Sequence, residues 1–205
     1  MKKPDLADLQ RLVTDVVLPF YQIRREVPLH LDGLRYENDA EHSWSLALLA
    51  CALAPHVDPK LDIGKVAQYA TVHDMVEIHA GDTSNFASDS QKASKEAREA
   101  QALRQLETSL AAFPWAVETL HAYEAQTSDE AQFVRSVDKI LPLLFDIADE
   151  GWLYHDKKMT QREWVGHMQI PRTKASRHSG AFAYYELVWD ELLSHPEFFH
   201  QEDKK

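Results

Sequence analysis

The chain has 205 residues and a net charge of -11 at neutral pH. This length predicts one globular domain over residues 1–205, and the low content of glycine and proline (6 and 9 residues) favours an all-α fold. The negative charge argues against a nucleic-acid polymer or an anionic membrane as partner, since both require a basic face, but it is compatible with a small anionic ligand.

The N-terminal segment predicts a first helix over about residues 4–25, with a kink at Pro19. Its start, MKKPDLADLQ, carries acids where a signal peptide has its hydrophobic core, and no apolar stretch reaches the ~20 residues of a membrane span. The single cysteine, Cys51, excludes an intrachain disulfide. Together these features predict a cytoplasmic protein. Pro28 and the pair Asp32-Gly33 then predict a turn, which places Arg35 on a loop.

Two strongly apolar helices follow, and we predict that both lie in the core. The second helix begins with Asn38 or Asp39 as its N-cap. Asn38 has the capping-box spacing to Glu41, and Pro55 is expected to end the helix. The third helix spans about residues 62–80, and Gly81 is suited to a left-handed cap at its end.

The remaining sequence predicts further helices and shows no strand pattern. The expected elements are a charged helix after a loop at residues 83–91, a helix at residues 114–125, a core helix from Ser128 to about residue 151, a helix with a capping box at Thr160 and Glu163, and a last amphipathic helix around residues 182–193. The core helices thus occupy about residues 36–150 and the C-terminal helices residues 160–195. The polar tail, residues 200–205, is expected to fray. We predict a compact all-α single domain.

Three predicted core helices carry ionisable residues where packing favours apolar ones. These residues are His42 on the second helix, His73 and Asp74 on the third, and Asp138 on the helix after Ser128. Buried imidazoles and carboxylates must pair or bind a metal, because an unpaired buried charge costs several kcal/mol. Two nitrogen and two oxygen ligands suit one divalent ion, although the pattern does not distinguish Mn, Co, Mg, Fe, Ni and Zn. The alternative is a set of paired core polar residues, such as Asp138 with Arg135.

Helix geometry also places Glu77 on this face. On a continuous helix, His73 and Asp74 point about 100° apart and Glu77 lies about 40° round from His73. His79 lies about 240° round, so we expect it to face away. His121 is isolated in the sequence. The spacing therefore favours a mononuclear centre.

The order of these residues resembles a known family. The blocks AEHSW, VHDMVEIHAGD and SVDKILPLL resemble the HD-domain superfamily of metal-dependent phosphohydrolases. More narrowly, YENDAEHSW followed by HDMVEIHAGD is similar to the subgroup that includes bacterial 5′-deoxynucleotidases. The resemblance implies a helical phosphomonoesterase that acts on nucleoside 5′-monophosphates, and it suggests a homodimer.

The resemblance also implies a role for each matching residue. The implied metal ligands are His42, His73, Asp74 and Asp138. Glu77 matches a carboxylate near the attacking water and Asp82 a position near the site, so both are catalytic candidates. Arg35 matches an arginine that precedes the EN block, which is the EN pair of YENDAEHSW. Arg24 or Arg25 is a second candidate for phosphate binding.

Other functions are compatible with the same pattern. They are hydrolysis of phosphodiesters or triphosphates, oxygen chemistry at a di-iron centre, and nucleotide binding without turnover. Trp152, Trp164 and Trp189 are candidates for a dimer interface, although tryptophans are also common in cores.

Overall fold

The computed structural model of the chain describes residues 3–30, 33–84 and 86–201. In chain order, its elements are α1 (Leu6–Leu12), a π-helical turn (Val13–Val17), α2 (Leu18–Phe20), β1 (Arg24–His30), β2 (Leu34–Asn38), α3 (Asp39–Val57), α4 (Ile63–Val72), α5 (Glu77–Ala80), α6 (Asp89–Ser109), α7 (Pro114–Ala125), α8 (Asp129–Ala148), α9 (Trp152–Asp156), α10 (Gln161–His167), α11 (Gln169–Ala175), α12 (Ser179–Leu193) and a 3-10 turn (Pro196–Phe198). The prediction of an all-α fold is confirmed. Residues 202–205 of the predicted tail, and Asp32 of the predicted turn, lie outside the described residues.

A two-stranded hairpin replaces the end of the predicted first helix. The prediction of a helix to residue 25 is wrong, because the helical segment ends at Phe20 and β1 pairs antiparallel with β2. Leu29 lies opposite Arg35, and Gly33 supports the connection with a φ of 128°. Pro28 within β1 obscured the strand pattern, since proline is tolerated only where a strand has a free edge. A sheet of two strands leaves such an edge.

The start of α3 agrees with the predicted capping box. Asn38 Oδ1 accepts from the Glu41 N–H at 3.0 Å, and Glu41 Oε2 accepts from the Asn38 N–H at 3.1 Å. This cap fixes the position of the first helical turn, which carries His42. Pro55 does not end the helix, which continues to Val57. A proline in the last turn removes only one backbone hydrogen bond, so its cost there is small.

The predicted third helix is interrupted at the polar pair. The Met75 N–H donates to Val72 O at 3.0 Å and the Glu77 N–H to Asp74 O at 2.8 Å, so the bonds span three residues and the turn is tighter than an α-helix. The helical conformation then resumes in α5, which begins at Glu77 and ends at Ala80, just before Gly81. Gly81 has the expected positive φ of 72°, but its ψ of 149° is extended, so the left-handed cap is wrong.

Two buried clusters meet along α8. The first joins α3, α4 and α8 through Leu46, Val66 and Phe133, and the second joins α8 to the C-terminal helices. Trp164 and Trp189 are buried in this second cluster with ring centroids 4.6 Å apart, so they pack within their own chain instead of forming an interface. None of the helices in the described ranges has both the length and the apolar character needed to cross a bilayer.

We expect Asp146 on α8 to make stability depend on pH. Burial raises the pKa of Asp146 to about 7, although the Tyr154 hydroxyl donates a hydrogen bond to it. The folded state then binds this proton more tightly than the unfolded chain, in which an aspartate has a pKa of about 3.9. The stabilisation is complete below the unfolded pKa and is lost as the pH rises from there through 7, by a free energy of about 4 kcal/mol at about 1.4 kcal/mol per pKa unit.

Asp146→Asn should remove this part of the pH dependence, because an amide does not ionise. The free energy of unfolding in urea at pH 5 and pH 8 measures the difference. Asp156→Asn, at an exposed position on α9, is the control. If Asp146→Asn and the wild type lost the same stability between the two pH values, the assignment to Asp146 would be wrong.

Candidate metal centre

The structure brings together the four residues predicted as metal ligands. One ligand atom from each of His42, His73, Asp74 and Asp138 lies within 4.8 Å of the others. α3 supplies His42, the tight turn after α4 supplies His73 and Asp74, and α8 supplies Asp138. His42 is 0% and His73 is 2% exposed. Three separate segments therefore deliver two imidazoles and two carboxylates to one buried point.

The orientation of His73 leaves an unpaired nitrogen at this point. Its Nδ1–H donates to Ala70 O at 2.8 Å, which places the proton on Nδ1 and the lone pair on Nε2. Nε2 is buried and has no hydrogen-bond partner among the described residues, although Asp74 Oδ2 lies 3.0 Å away. A lone pair that faces a carboxylate oxygen without a proton between them is stabilised by a cation. This donor set therefore fits a divalent metal.

His42 is oriented by Glu37, for which no role in the site was predicted. Glu37 is 1% exposed, and its Oε2 accepts from His42 Nδ1 at 3.2 Å. His42 Nε2 then faces Asp138 Oδ1 at 3.0 Å. A carboxylate that holds the second nitrogen of a histidine is common around metal ligands, because it fixes the tautomer and the ring orientation. The spacing of five residues between Glu37 and His42 in YENDAEH was the available signal.

The two carboxylates of the cluster are held in their ionised form. Lys139 Nζ lies 2.6 Å from Asp138 Oδ2, which leaves Oδ1 directed at the imidazoles. Against the effect of burial, Lys139 and His42 keep the pKa of Asp138 well below its usual value. Against burial, the positive charge of Arg25 helps to keep the pKa of Asp74 well below its usual value. Both side chains can therefore act as anionic ligands.

Arg25 lies directly beside the cluster. Its Nη1 is 2.7 Å from Asp74 Oδ2 and 3.1 Å from Asp39 Oδ1, and its side chain is 12% exposed. Asp39, Asp74 and Glu77 form a second group of converging carboxylates, which the guanidinium of Arg25 helps to neutralise. Burial, followed by the charge of Asp74, nevertheless raises the pKa of Asp39 to about 7.

Arg24 and Arg35 lie away from this cluster. The Arg24 guanidinium stacks over the Tyr36 ring at 3.9 Å, and Arg35 donates to Glu41 at 2.8 Å with 46% of its side chain exposed. Neither lines the pocket that His73, Asp74 and Asp138 help to form, whereas Arg25 does. The reason is the strand: neighbouring residues on β1 point to opposite faces, so only one of the two consecutive arginines reaches the site.

Glu77 and Asp82 line the same pocket, as the sequence predicted. Glu77 is 4% exposed, and its Oε2 has no hydrogen-bond partner within the described part of the chain. Burial, with the charges of Asp74 and Asp82, raises the pKa of Glu77 well above its usual value. Burial also raises the pKa of Asp82. Both carboxyl groups are therefore able to exchange protons at a pH closer to neutrality than an ordinary carboxyl group.

The two other histidines considered from the sequence take no part in the ligand cluster. His79 is exposed on α5. His121 contacts Glu107 Oε1 through its Nε2 at 2.8 Å, with 49% of its side chain exposed.

Part of the lining of this pocket was not predicted. α11 contributes Ile170, Pro171 and Lys174, and Phe86 lies in the loop before α6. Further cations line the pocket from α6 and α8, namely Lys95, Arg135 and Lys139. The site thus combines a polar end at the ligand cluster with a wall that is partly apolar and partly cationic.

Comparison with known proteins supports this description. A family model described as "HD domain" matches residues 22–179. The chain is similar to a solved structure described as a predicted metal-dependent phosphohydrolase from Magnetospirillum magnetotacticum MS-1, with 29% identity, a TM-score of 0.75 and 96% of each chain covered. No curated protein sequence matches the chain.

Proposed function

Because the chain belongs to the HD-domain family, we propose that it is a metal-dependent phosphohydrolase with its metal held by His42, His73, Asp74 and Asp138. The observation that carries the proposal is the buried, unpaired Nε2 of His73, which faces two carboxylates at a point also reached by His42. A divalent ion bound at this point supplies Lewis acidity toward a phosphate oxygen and lowers the pKa of a water molecule.

The surrounding residues supply the remaining functions. Arg25 presents a guanidinium next to Asp74, and its charge would bind a phosphate oxygen at the metal. Glu77 removes the proton of the attacking water or delivers one to the leaving alkoxide. Asp82 raises the pKa of Glu77 and so adjusts this proton exchange through its charge.

We further propose a small phosphomonoester as substrate, most specifically a nucleoside 5′-monophosphate. The apolar side chains of Phe86, Ile170 and Pro171 line the same pocket and would provide a surface for a base. The similarity of YENDAEHSW and HDMVEIHAGD to the 5′-deoxynucleotidase subgroup supports the same substrate class. The net charge of -11 favours a small molecule over a nucleic-acid polymer.

Metal analysis followed by a phosphate-release screen tests the proposal. The screen uses nucleoside 5′-monophosphates with Mn²⁺, Co²⁺ and Mg²⁺, and it includes phosphodiesters and nucleoside triphosphates. We expect about one metal per chain and release of inorganic phosphate from the monophosphates. Two irons per chain would favour oxygen chemistry instead, and tight nucleotide binding without phosphate release under any of these metals would indicate a binding protein.

Arg25→Gln is expected to raise KM and to lower kcat/KM by about 10²-fold, because a charged donor to the phosphate is lost. Arg24→Gln is the matched control, since Arg24 precedes Arg25 on β1 but stacks on Tyr36 outside the pocket. Steady-state kinetics with a 5′-monophosphate measure both variants, and thermal unfolding checks that the carboxylates around Arg25 tolerate the change. Equal kinetic effects of the two substitutions would contradict the role of Arg25.

A further inference from the structure

Lys174 is a partly buried cation that has no carboxylate partner. Among the described side chains, no carboxylate oxygen lies within ion-pair distance of its Nζ. The other cations of the pocket are paired: Lys139 with Asp138 at 2.6 Å, and Lys95 with Glu99 at 3.3 Å. Burial, with the charges of Lys139, Lys95 and Arg135 and against the charge of Asp138, lowers the pKa of Lys174 to about 8. The three cations thus outweigh Asp138 in their effect on Lys174, and an added anion beside it would be stabilised.

The same wall of the pocket exposes an apolar side chain. Ile170 is 63% exposed and lies four residues before Lys174 on α11, so both side chains lie on one face of that helix. Both side chains line the pocket, together with Phe86 from the loop before α6. A ligand that covers this face must present an apolar surface to Ile170 and a negative charge to Lys174.

Lys174 differs from the cations that contact the cluster ligands. Arg25 contacts the cluster ligand Asp74 and Lys139 contacts the cluster ligand Asp138, so these two cations pair directly with metal-type ligands. Within the described residues, Lys174 forms an ion pair with none of the four ligands, although the charge of Asp138 acts on it. A second anionic group on a ligand could therefore pair with Lys174 while a phosphate lies at the metal.

We propose that the substrate carries a second anionic group, which Lys174 binds while Ile170 and Phe86 contact the base. This inference rests on the proposed function and narrows its substrate class to nucleotides with a second phosphate, of which a nucleoside 3′,5′-bisphosphate is the simplest. The reaction is unchanged: water attacks the 5′-phosphorus, the bond from phosphorus to the 5′-oxygen breaks, and the leaving alkoxide takes up a proton. The second phosphate stays on the sugar and contributes binding only.

Calorimetry separates this inference from the proposed function. Binding of adenosine 5′-monophosphate and of adenosine 3′,5′-bisphosphate is measured on the metal-loaded Glu77→Gln protein, in which turnover is slowed. We expect the bisphosphate to bind about tenfold more tightly than the monophosphate, which is the effect of one charge-assisted hydrogen bond. Adding Lys174→Gln should abolish this preference, whereas adding Lys60→Gln, at an exposed position outside the pocket, should retain it.

The outcomes discriminate between the two ideas. Equal affinity for both nucleotides in the Glu77→Gln protein, which retains Lys174, overturns the second anion subsite even if the wild type hydrolyses monophosphates. A preference that survives Lys174→Gln overturns it as well. A preference that depends on Lys174, in a protein whose wild type releases no phosphate, supports the subsite and overturns the proposed reaction. A thermal unfolding curve for each variant shows whether a loss of binding reflects a loss of the fold.

Discussion

His73→Ala is expected to abolish both metal binding and phosphate release. The substitution removes the only buried nitrogen of the cluster that has no other partner within the described residues. The remaining set of His42, Asp74 and Asp138 has one nitrogen fewer, and two carboxylates would then face each other with less compensation. We expect metal content to fall well below one per chain and kcat/KM to fall by at least about 10³-fold, since metal assistance supplies several kcal/mol of transition-state stabilisation.

His79→Ala is the matched control for this experiment. His79 lies six residues after His73 in the same stretch, VHDMVEIHA, but it is exposed on α5 and does not belong to the ligand cluster. Metal content measured by elemental analysis, and phosphate release measured on the same preparations, should both stay close to wild type in this variant. Full activity of a metal-free His73→Ala protein would refute a metal-dependent mechanism.

The sequence predicted which residues converge because those residues violate the apolar pattern of their helices. His42, His73 and Asp138 occupy positions where packing alone favours apolar side chains, so a common cause could be inferred without knowing how the helices are arranged. The cap at Asn38 was equally predictable, because capping depends on residues only three positions apart. Local rules and buried polar residues thus account for most of the predicted site.

The choice between Arg24 and Arg25 was harder, because both were predicted to lie on a helix and in fact lie on β1. On a helix, Arg24 and Arg25 differ by about 100° in direction and neither is favoured, whereas on β1 they point to opposite faces. The strand was not apparent because Pro28 interrupts it and because a two-stranded hairpin depends on packing against the helices. The contacts of Arg25 with Asp39 and Asp74 join residues up to 49 positions apart, which no local pattern records.

The tight turn at His73 was missed for a related reason. The angle between His73 and Glu77 was derived for a continuous α-helix, but the backbone there forms bonds over three residues. Glu77 nevertheless lines the pocket, although a turn of three residues rotates a side chain four positions on by about 120° and an α-helix by about 40°. The predicted location of Glu77 was therefore less sensitive to the exact helix than the predicted angle.

Glu77→Gln is expected to retain the metal and to lose about 10²–10⁴-fold in kcat, the usual range for removal of a general acid or base. Metal is retained because Glu77 is not one of the four cluster ligands and because glutamine preserves the volume of the buried side chain. Elemental analysis and steady-state kinetics test both expectations. Glu118→Gln, at an exposed position on α7, should change neither quantity.

The pH dependence of the wild type, compared with that of the same variant, shows which proton transfer Glu77 performs. If Glu77 removes a proton it must be ionised, so kcat rises as the pH rises through its pKa; if it delivers a proton, kcat falls over the same interval. Burial and the charges of Asp74 and Asp82 raise the pKa of Glu77, so this limb lies above the ordinary carboxyl value of about 4.3. Glutamine does not titrate, and the limb should disappear in Glu77→Gln. A variant that kept the wild-type profile at a reduced rate would show that Glu77 positions the reactants without exchanging a proton.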